Sequence, residues 1–274
     1  MEINWQLYPY PHCIIDNFLA DDEFASLRSS LRRQQEISVK YQASFDTDLE
    51  KKQISDVKSL QVFIRNFIDF MASAELKIIF SNFVGLDPSQ ITSLGATQDF
   101  SGYSPYHITQ ESGMLGSHVD HSHVSRGQLV HVANAIFYAS EDWQPGWGGE
   151  TILFSDYGLN PLVSVAPVPN RMLLFIHSQS SFHGVSRYKS PKGLNRETFY
   201  HDYYIDRSLL PSFVASIKNE HDFKLAYSTH GTTFVPAMPF GVESFRFSSF
   251  FKARTYLYLI VYAKYLLGRL IQLI

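Results

Sequence analysis

Short apolar runs broken by turn residues dominate the chain between about residues 91 and 206, and they limit the fold most. Gly, Pro, Asn and Ser separate these runs, several of which alternate apolar and polar side chains. The clearest runs cover 129–138, 151–154, 162–165, 172–176 and 198–205. Short strands joined by frequent turns are typical of a β-sandwich, a jelly roll or a barrel. We therefore expect a mainly β core over 91–206.

Helical patterns flank this core. Asp21 or Asp22 can cap a helix whose apolar residues recur on one face, and Gly85 is typical of a helix C-terminus. We expect helices near 22–34, 57–72, 74–84 and 207–218. A strand is predicted at 12–19, and the polar residues 36–56 are interpreted as a long loop. The chain then divides into flanking elements over 1–90, the β core over 91–206 and a helical extension over 207–274, as one catalytic domain.

Composition excludes several classes of protein. The 23 Lys and Arg and 26 Asp and Glu give a net charge of −3, so no nucleic-acid partner is expected. A single cysteine, Cys13, excludes an internal disulfide and suits a reducing compartment. Residues 1–5 lack the basic and apolar regions of a secretory signal. These features favour a cytoplasmic protein.

His118-Val119-Asp120 is the most informative short motif. Side chains at i and i+2 of a strand point to the same face, so one imidazole and one carboxylate can meet one metal ion. His183, 63 residues after Asp120, is the best third ligand because it ends a strand-like run. Two histidines and one carboxylate form the facial triad of non-haem Fe(II) oxygenases.

Other histidines compete for these roles. His177 is an alternative distal ligand, and His121 and His123 lie beside the motif as surface or substrate-facing groups. Each histidine could also be an ordinary hydrogen-bonded core residue, because short motifs match by chance.

A basic residue follows the distal histidine. Arg196 opens an alternating run 13 residues after His183. A buried Arg requires an anion, and its planar fork suits a carboxylate. Thr198 faces the same way and could donate its hydroxyl. A surface salt bridge is the alternative role for Arg196.

The ordered set of motifs resembles the 2-oxoglutarate- and Fe(II)-dependent dioxygenase superfamily, in its prolyl-4-hydroxylase-like branch. The resemblance covers about 103–206 and rests on motifs in a fixed order. They are His118-Val119-Asp120, Ala135-Ile136-Phe137-Tyr138, Trp143, Gly148-Gly149-Glu150, Arg171-Met172-Leu173-Leu174-Phe175, His183-Gly184-Val185 and Arg196. The fold it implies is a double-stranded β-helix, a jelly-roll or cupin-like core.

The resemblance also implies a site. His118, Asp120 and His183 would ligate Fe(II), and Arg196 would bind the distal carboxylate of 2-oxoglutarate. Thr198 and Tyr106 are the two hydroxyl candidates for that carboxylate, and Arg187 is the alternative anchor. O₂ would be the second co-substrate, and ascorbate is a candidate auxiliary reductant.

The implied activity is hydroxylation of a C–H bond with release of succinate and CO₂. The substrate could be peptidyl and prolyl-like, or a small molecule, sugar or lipid-linked compound. Trp143 and Trp147 could stack on it or simply pack their turn, and Asn134 could point inward. The alternative functions are a non-catalytic jelly roll that binds a ligand and a structural metal site.

The C-terminal segment 251–274 is apolar and carries scattered basic residues. Residues 255–263 are uncharged, which is too short a run to span a bilayer. We expect it to pack on the domain or on a second subunit, with membrane-surface binding as the alternative and a true span as the least favoured reading.

Overall fold

The computed structural model describes residues 3–34, 52–54, 57–93, 105–120, 123–124, 128–154, 158–191 and 194–221, together with five single residues of the C-terminal segment. Twelve strands and four α-helices lie in these ranges. In chain order they are β1 His12–Ile15, α1 Asp21–Gln34, β2 Lys52–Ile54, α2 Val62–Met71, α3 Ala74–Val84, β3 Ile91–Ser93, β4 Tyr106–Thr109, β5 Leu115–His118, β6 His123–Val124, β7 Leu129–Tyr138, β8 Thr151–Phe154, β9 Pro161–Val165, β10 Arg171–Ile176, β11 His183–Val185, β12 Arg196–Asp206 and α4 Leu210–His221.

Two antiparallel sheets form the core. The larger sheet has the order β1-β10-β7-β12-β4-β2, with β3 beside β12 and β6 beside β7, and the smaller has the order β5-β11-β8-β9. The chain crosses between the sheets repeatedly, from β4 to β5, from β7 to β8, from β9 to β10 and from β11 to β12. This is the strand order of a jelly roll, so the predicted fold class is confirmed.

Successive side chains along a strand point to opposite faces of the sheet, so the larger sheet has one apolar core on each face. Ile136 and Tyr138 of β7 point between the sheets, where they meet Leu153 and Val165 of the smaller sheet. Phe137, on the opposite face, packs against the helices, and its ring lies 4.9 Å from that of Phe67 in α2. The helices thus cover the outer face of the larger sheet, and its inner face lies toward the smaller sheet.

Local signals explain where the elements end. Gly85 ends α3 in the left-handed conformation at φ 68°, as its position predicts. Asn17 has φ 50°, so β1 is shorter than the predicted strand. Two helices begin later than predicted because 3₁₀ turns at Val57–Ser59 and Arg207–Leu209 precede them.

The long-loop prediction for 36–56 is wrong at Lys52–Ile54. These residues form β2, which pairs with β4 at the edge of the larger sheet. Only one of the three is apolar, so the sequence shows no strand period there. The rest of 36–56 lies outside the described residues.

One buried ion pair ties the N-terminal helix to the sheet. Arg28 of α1 contacts Glu197 of β12 through two hydrogen bonds of 2.7 and 3.2 Å, and both side chains are almost inaccessible. Tyr106 donates a third bond, of 2.7 Å, to the same carboxylate. Glu197 therefore depends on donors from two elements.

We expect Arg28→Met to lower the free energy of unfolding by about 3–5 kcal/mol, because it leaves Glu197 charged and buried. Arg32→Met is the matched control, since Arg32 pairs with Glu141 on the surface, and should cost under about 1 kcal/mol. Urea unfolding measures both changes. Equal effects would contradict a structural role for the buried pair.

The C-terminal segment is described only at Tyr256, Leu259, Ile260, Ala263 and Leu267, all of which are helical and exposed. Among the described residues, no helix combines the length and apolar content required to cross a bilayer.

Candidate metal centre and adjoining pocket

Neighbouring strands of the smaller sheet bring the two histidines together. β5 and β11 pair antiparallel, with His118 directly opposite His183. Opposed residues share a face, and the two ring centroids are 4.2 Å apart. Asp120 follows β5, and its carboxylate oxygens lie 3.4 Å from the Nε2 atoms of both histidines. One candidate ligand atom from each of the three residues lies within 4.8 Å of the others.

Backbone carbonyls orient both imidazoles. The Nδ1 atom of His118 is 2.9 Å from the Gly116 oxygen, and that of His183 is 3.0 Å from the Ser181 oxygen. A carbonyl accepts only from a protonated nitrogen, so these contacts favour the Nδ1–H tautomer. That tautomer leaves the Nε2 lone pair of each ring for a metal ion.

Asp120 is held in its ionised form. Burial raises the pKa of Asp120, but the positive charge that His183 and His118 carry when they are protonated, and the hydrogen bonds they then donate, outweigh burial and hold it well below its usual range. The site therefore offers one anionic carboxylate oxygen beside two imidazole nitrogens. That donor set is the facial triad typical of non-haem Fe(II).

The side-chain amide of Asn134 links Asp120 to a second carboxylate, that of Asp202. The Nδ2 atom of Asn134 donates to Asp120 at 3.2 Å and to Asp202 at 3.0 Å. Asp202 lies opposite Asn134 in the β7–β12 pairing, and Tyr204 donates to its other oxygen at 3.2 Å. Asn134 thus points inward and fixes the orientation of a candidate metal ligand.

We expect Asn134→Ala to weaken metal binding about tenfold to a hundredfold, the usual effect of losing a group that orients a ligand. Titration of the purified protein with Co(II), followed by its visible absorption, measures this loss. Ser140→Ala is the control because Ser140 is also buried but binds the Glu197 backbone instead. Unchanged affinity in Asn134→Ala would contradict the orienting role.

The rival histidines occupy other positions. His177 stacks on His131 with ring centroids 4.1 Å apart and an interplanar angle of 11°. It is not one of the clustered candidate ligands. His121 and the side chain of His123 lie outside the described residues.

Arg196 is buried between the sheets. Only 2% of its surface is exposed, and its guanidinium lies 5.5 Å from the Tyr138 ring centroid. Its Nε donates to the Gly149 carbonyl at 2.7 Å and its Nη2 to the Thr151 hydroxyl at 3.1 Å. No carboxylate of the described residues lies within salt-bridge distance of it. A buried cation held only by neutral groups is a strong attractor for an anion.

A small pocket adjoins Arg196. Its wall consists of side chains from β4, β5, β11 and β12 and the turn before β5: His107, Thr109, Met114, Leu115, Val185, Arg196 and Tyr200. Thr198 lies on the same inner face of β12, and its buried Oγ1 has no hydrogen-bond partner within the described part of the chain. Arg196 and Thr198 therefore place a buried cation and a buried hydroxyl on one inward face of β12.

The structure does not bring Tyr106 to this pocket. Tyr106 lies opposite Phe199 on the outer face of the sheet, and its hydroxyl donates to Glu197. Its neighbour His107 lies opposite Thr198 and lines the pocket instead. Arg187, the alternative anchor, donates to the Ser112 carbonyl at 3.1 Å and is only partly buried.

The Gly148-Gly149 turn contacts Arg196 through the Gly149 carbonyl. Both glycines have positive φ, of 74° and 78°. A Cβ atom on Gly148 would lie 1.8 Å from the Arg187 carbonyl oxygen, and one on Gly149 would lie 3.1 Å from Cδ of Arg196. Trp143 supports the turn through a 2.8 Å bond from its Nε1 to the Gly148 carbonyl. Trp143 therefore packs the turn, which was the simpler of its two predicted roles.

Fold and site together define a jelly-roll protein with two histidines and one carboxylate clustered as candidate metal ligands. Residues 102–199 match the sequence model of the 2OG-Fe(II) oxygenase superfamily. The matched segment contains His118, Asp120, His183 and Arg196, and this match confirms the resemblance. Members of the superfamily use Fe(II), 2-oxoglutarate and O₂. Among proteins of curated function, none matches the sequence.

Solved structures of related shape include several oxygenases. A Pseudomonas putida prolyl-4-hydroxylase is 18% identical, with a TM-score of 0.48, over 73% of this chain and 95% of that one. A Trichoplax adhaerens prolyl hydroxylase, in complex with a hypoxia inducible factor peptide, is 17% identical, with a TM-score of 0.46, over 74% and 87%. HygX from Streptomyces hygroscopicus, with nickel, 2-oxoglutarate and hygromycin B bound, is 13% identical, with a TM-score of 0.43, over 72% and 82%.

Proposed function

We propose that this oxygenase hydroxylates a C–H bond of an organic substrate and converts 2-oxoglutarate and O₂ to succinate and CO₂. The observation that carries the proposal is Arg196, a buried guanidinium without a carboxylate partner among the described residues, in the same barrel interior as the triad. A non-catalytic jelly roll would have no requirement for both features together.

The residues fit the metal and the co-substrate. His118, Asp120 and His183 would hold Fe(II), which activates O₂ when bound. Arg196 and Thr198 would bind one carboxylate of 2-oxoglutarate, because a guanidinium and a hydroxyl supply donors to an anion. A dianionic co-substrate and the Asp120 carboxylate would together balance the charges of Fe(II) and the buried Arg196.

The protein's own contribution is orientation and exclusion of water. β12 carries Arg196, Thr198, Tyr200 and Asp202 along one inward face. Arg196 and Thr198 are buried, whereas Tyr200 and Asp202 are half-buried. The end of this face that would bind the co-substrate is therefore more buried than the end that carries Asp202.

Two substrate classes are proposed, a prolyl-like peptidyl residue and a small molecule, sugar or lipid-linked compound. Ascorbate is proposed as an auxiliary reductant. We expect Asp202 to discriminate between substrates. Its half-buried carboxylate is linked to Asp120 through Asn134 and can accept a hydrogen bond from a substrate.

The test is turnover under ¹⁸O₂ with Fe(II) and 2-oxoglutarate. Succinate should form, and a hydroxylated product should carry ¹⁸O, with a prolyl peptide or with members of a small-molecule panel. Asp120→Ala should form neither, and Asp202→Asn should retain succinate formation but change substrate preference. Succinate formation that survives in Asp120→Ala would contradict the proposal, as would a folded, iron-loaded protein that never consumes 2-oxoglutarate.

A further inference from the structure

The carboxylate of Asp202 lies on the same inward face of β12 as Arg196, at its more accessible end. Its side chain is 25% exposed, whereas Arg196 is almost wholly buried. Asp202 lies opposite Asn134 of β7. The amide nitrogen of Asn134 contacts Asp202 at 3.0 Å and Asp120 at 3.2 Å. Asp202 is therefore only one side-chain amide away from a candidate metal ligand.

Side chains of two strands hold the Asp202 carboxylate in place. Asn134 donates to one of its oxygens at 3.0 Å and Tyr204 to the other at 3.2 Å. Burial and the charge of Asp202 raise the pKa of Tyr204, so its hydroxyl stays protonated and remains a donor. His131 approaches to 3.5 Å, but its Nε2 lies closer, at 3.0 Å, to the Ala133 carbonyl. A carboxylate can accept about four hydrogen bonds, so these contacts orient Asp202 and leave part of its accepting capacity unused.

The charge of Asp202 has no Lys or Arg within salt-bridge distance among the described residues. In the loaded site, the charges of Fe(II) and Arg196 would be balanced by Asp120 and a dianionic 2-oxoglutarate. Asp202 then adds a further negative charge to the same interior. Water screens a partly buried charge less than an exposed one, so Asp202 attracts a cation strongly. A ligand can supply the positive charge that Lys and Arg side chains do not.

An unused polar atom beside Asp202 indicates the same chemistry. The Oδ1 atom of Asn134 is buried and has no hydrogen-bond partner within the described part of the chain. Like the carboxylate oxygens, this atom only accepts hydrogen bonds. A buried acceptor without a donor destabilises the folded protein, and a donor that reaches it would offset that cost. An ammonium group supplies three N–H donors together with a positive charge.

We propose that the substrate carries a protonated amine, which pairs with Asp202 while a nearby C–H bond faces the metal ligands. This inference rests on the proposed function and selects among its substrate classes. One amide nitrogen separates Asp202 from Asp120, so the amine and the oxidised carbon should lie only a few bonds apart. A prolyl residue within a peptide has neither a positive charge nor an N–H donor. Amino sugars, other small amines and lysyl side chains share the required chemistry.

Proton relaxation of small probes beside bound Mn(II) tests the proposal without turnover. The full chain, loaded with Mn(II) and 2-oxoglutarate, is titrated with two matched pairs of probes: glucosamine against glucose, and Nα-acetyl-lysinamide against Nα-acetyl-norleucinamide. Mn(II) speeds the relaxation of protons that come close to it, so affinity and position are measured together. In at least one pair the amine should bind at least about tenfold more tightly than its neutral partner. The pair that shows the preference distinguishes a small amine from a lysyl residue.

Asp202→Asn should lower the affinity for the preferred amine at least about tenfold and leave that for its neutral partner unchanged, because Asn keeps the size but not the charge. Asp206→Asn is the matched control. Asp206 ends the same strand, is exposed and accepts from the Ser208 backbone, so its variant should keep the wild-type preference. Co(II) titration of Asp202→Asn separates charge from positioning. If Asp202 only held Asn134, metal affinity would fall and both probes of a pair would weaken equally.

Two outcomes would overturn the inference. The first is that no amine binds the wild type more tightly than its neutral partner does. The second is a preference for the amine that survives in Asp202→Asn. Failure of the proposed function is a different result, namely a folded protein that binds no Mn(II), or an iron-loaded protein that never consumes 2-oxoglutarate. Succinate formation with a prolyl peptide, in a protein without amine preference, would overturn this inference alone.

Discussion

His183→Ala is expected to weaken Fe(II) binding more than about a hundredfold. Loss of a group that only orients a ligand weakens binding up to about a hundredfold, and loss of the ligand itself should cost more. His183 is one of three ligands, and its Nδ1 contact with the Ser181 carbonyl directs Nε2 toward Asp120. Removing it leaves His118 and Asp120, which cannot complete a facial triad. Anaerobic Fe(II) titration with removal of free metal measures the loss.

His177→Ala is the matched control for that variant. His177 is also a buried histidine on the strand-to-loop segment before β11, but its ring stacks on His131. The variant should keep its metal, although the cavity it leaves costs some stability. If His177→Ala lost the metal and His183→Ala retained it, the assignment of the distal ligand would be wrong.

Arg196→Met is expected to weaken 2-oxoglutarate binding about 150-fold, because a lost charge-assisted bond is worth up to about 3 kcal/mol. The fold should tolerate the change. Met removes a buried cation that has no carboxylate partner among the described residues, so the free energy of unfolding should change by less than about 1.5 kcal/mol. Isothermal titration of the metal-loaded protein with 2-oxoglutarate, beside urea unfolding, measures both quantities.

Arg187→Met provides the comparison for the anchor. Arg187 is half-buried and its guanidinium contacts the Ser112 carbonyl. We expect its loss to change the affinity for 2-oxoglutarate by less than about threefold, which is the range of a bond that water can replace. The reverse result, with a large loss only in Arg187→Met, would move the anchor to Arg187.

The ordered motifs predicted the family because several of them are residues that the geometry of the fold and of the site requires. Gly148 and Gly149 show this most clearly, since a side chain on Gly148 would overlap the Arg187 carbonyl. His118 and His183 come from strands that are adjacent in the smaller sheet, although 63 residues separate Asp120 from His183 in sequence. Their pairing explains how residues so far apart in sequence reach one site.

The hydroxyl candidates show where sequence reasoning fails. Tyr106 and His107 are neighbours, and neighbours on a strand point to opposite faces. The sequence around 103–109 has no clear alternation, so it could not say which residue faces inward. Pairing with β12 decides it, because His107 lies opposite Thr198 and Tyr106 opposite Phe199.

The contact between Asn134 and Asp202 also depends on strand register, in this case that of β7 and β12. From the sequence alone Asn134 can point inward or outward, and nothing distinguishes Asp202 from other strand residues. The two residues are 68 positions apart and become partners only when β7 pairs with β12. A polar pair on two long apolar strands is the one signal that could have suggested them.

The most direct test is the visible spectrum of the anaerobic protein with Fe(II) and then 2-oxoglutarate. Chelation of 2-oxoglutarate to Fe(II) gives a weak charge-transfer band, which the wild type should show. Asp120→Ala and His183→Ala should lack the band, and Arg196→Met should show it only at much higher 2-oxoglutarate concentration. A folded wild type that shows no band with excess iron and 2-oxoglutarate would contradict the account and favour a jelly roll that binds a different ligand.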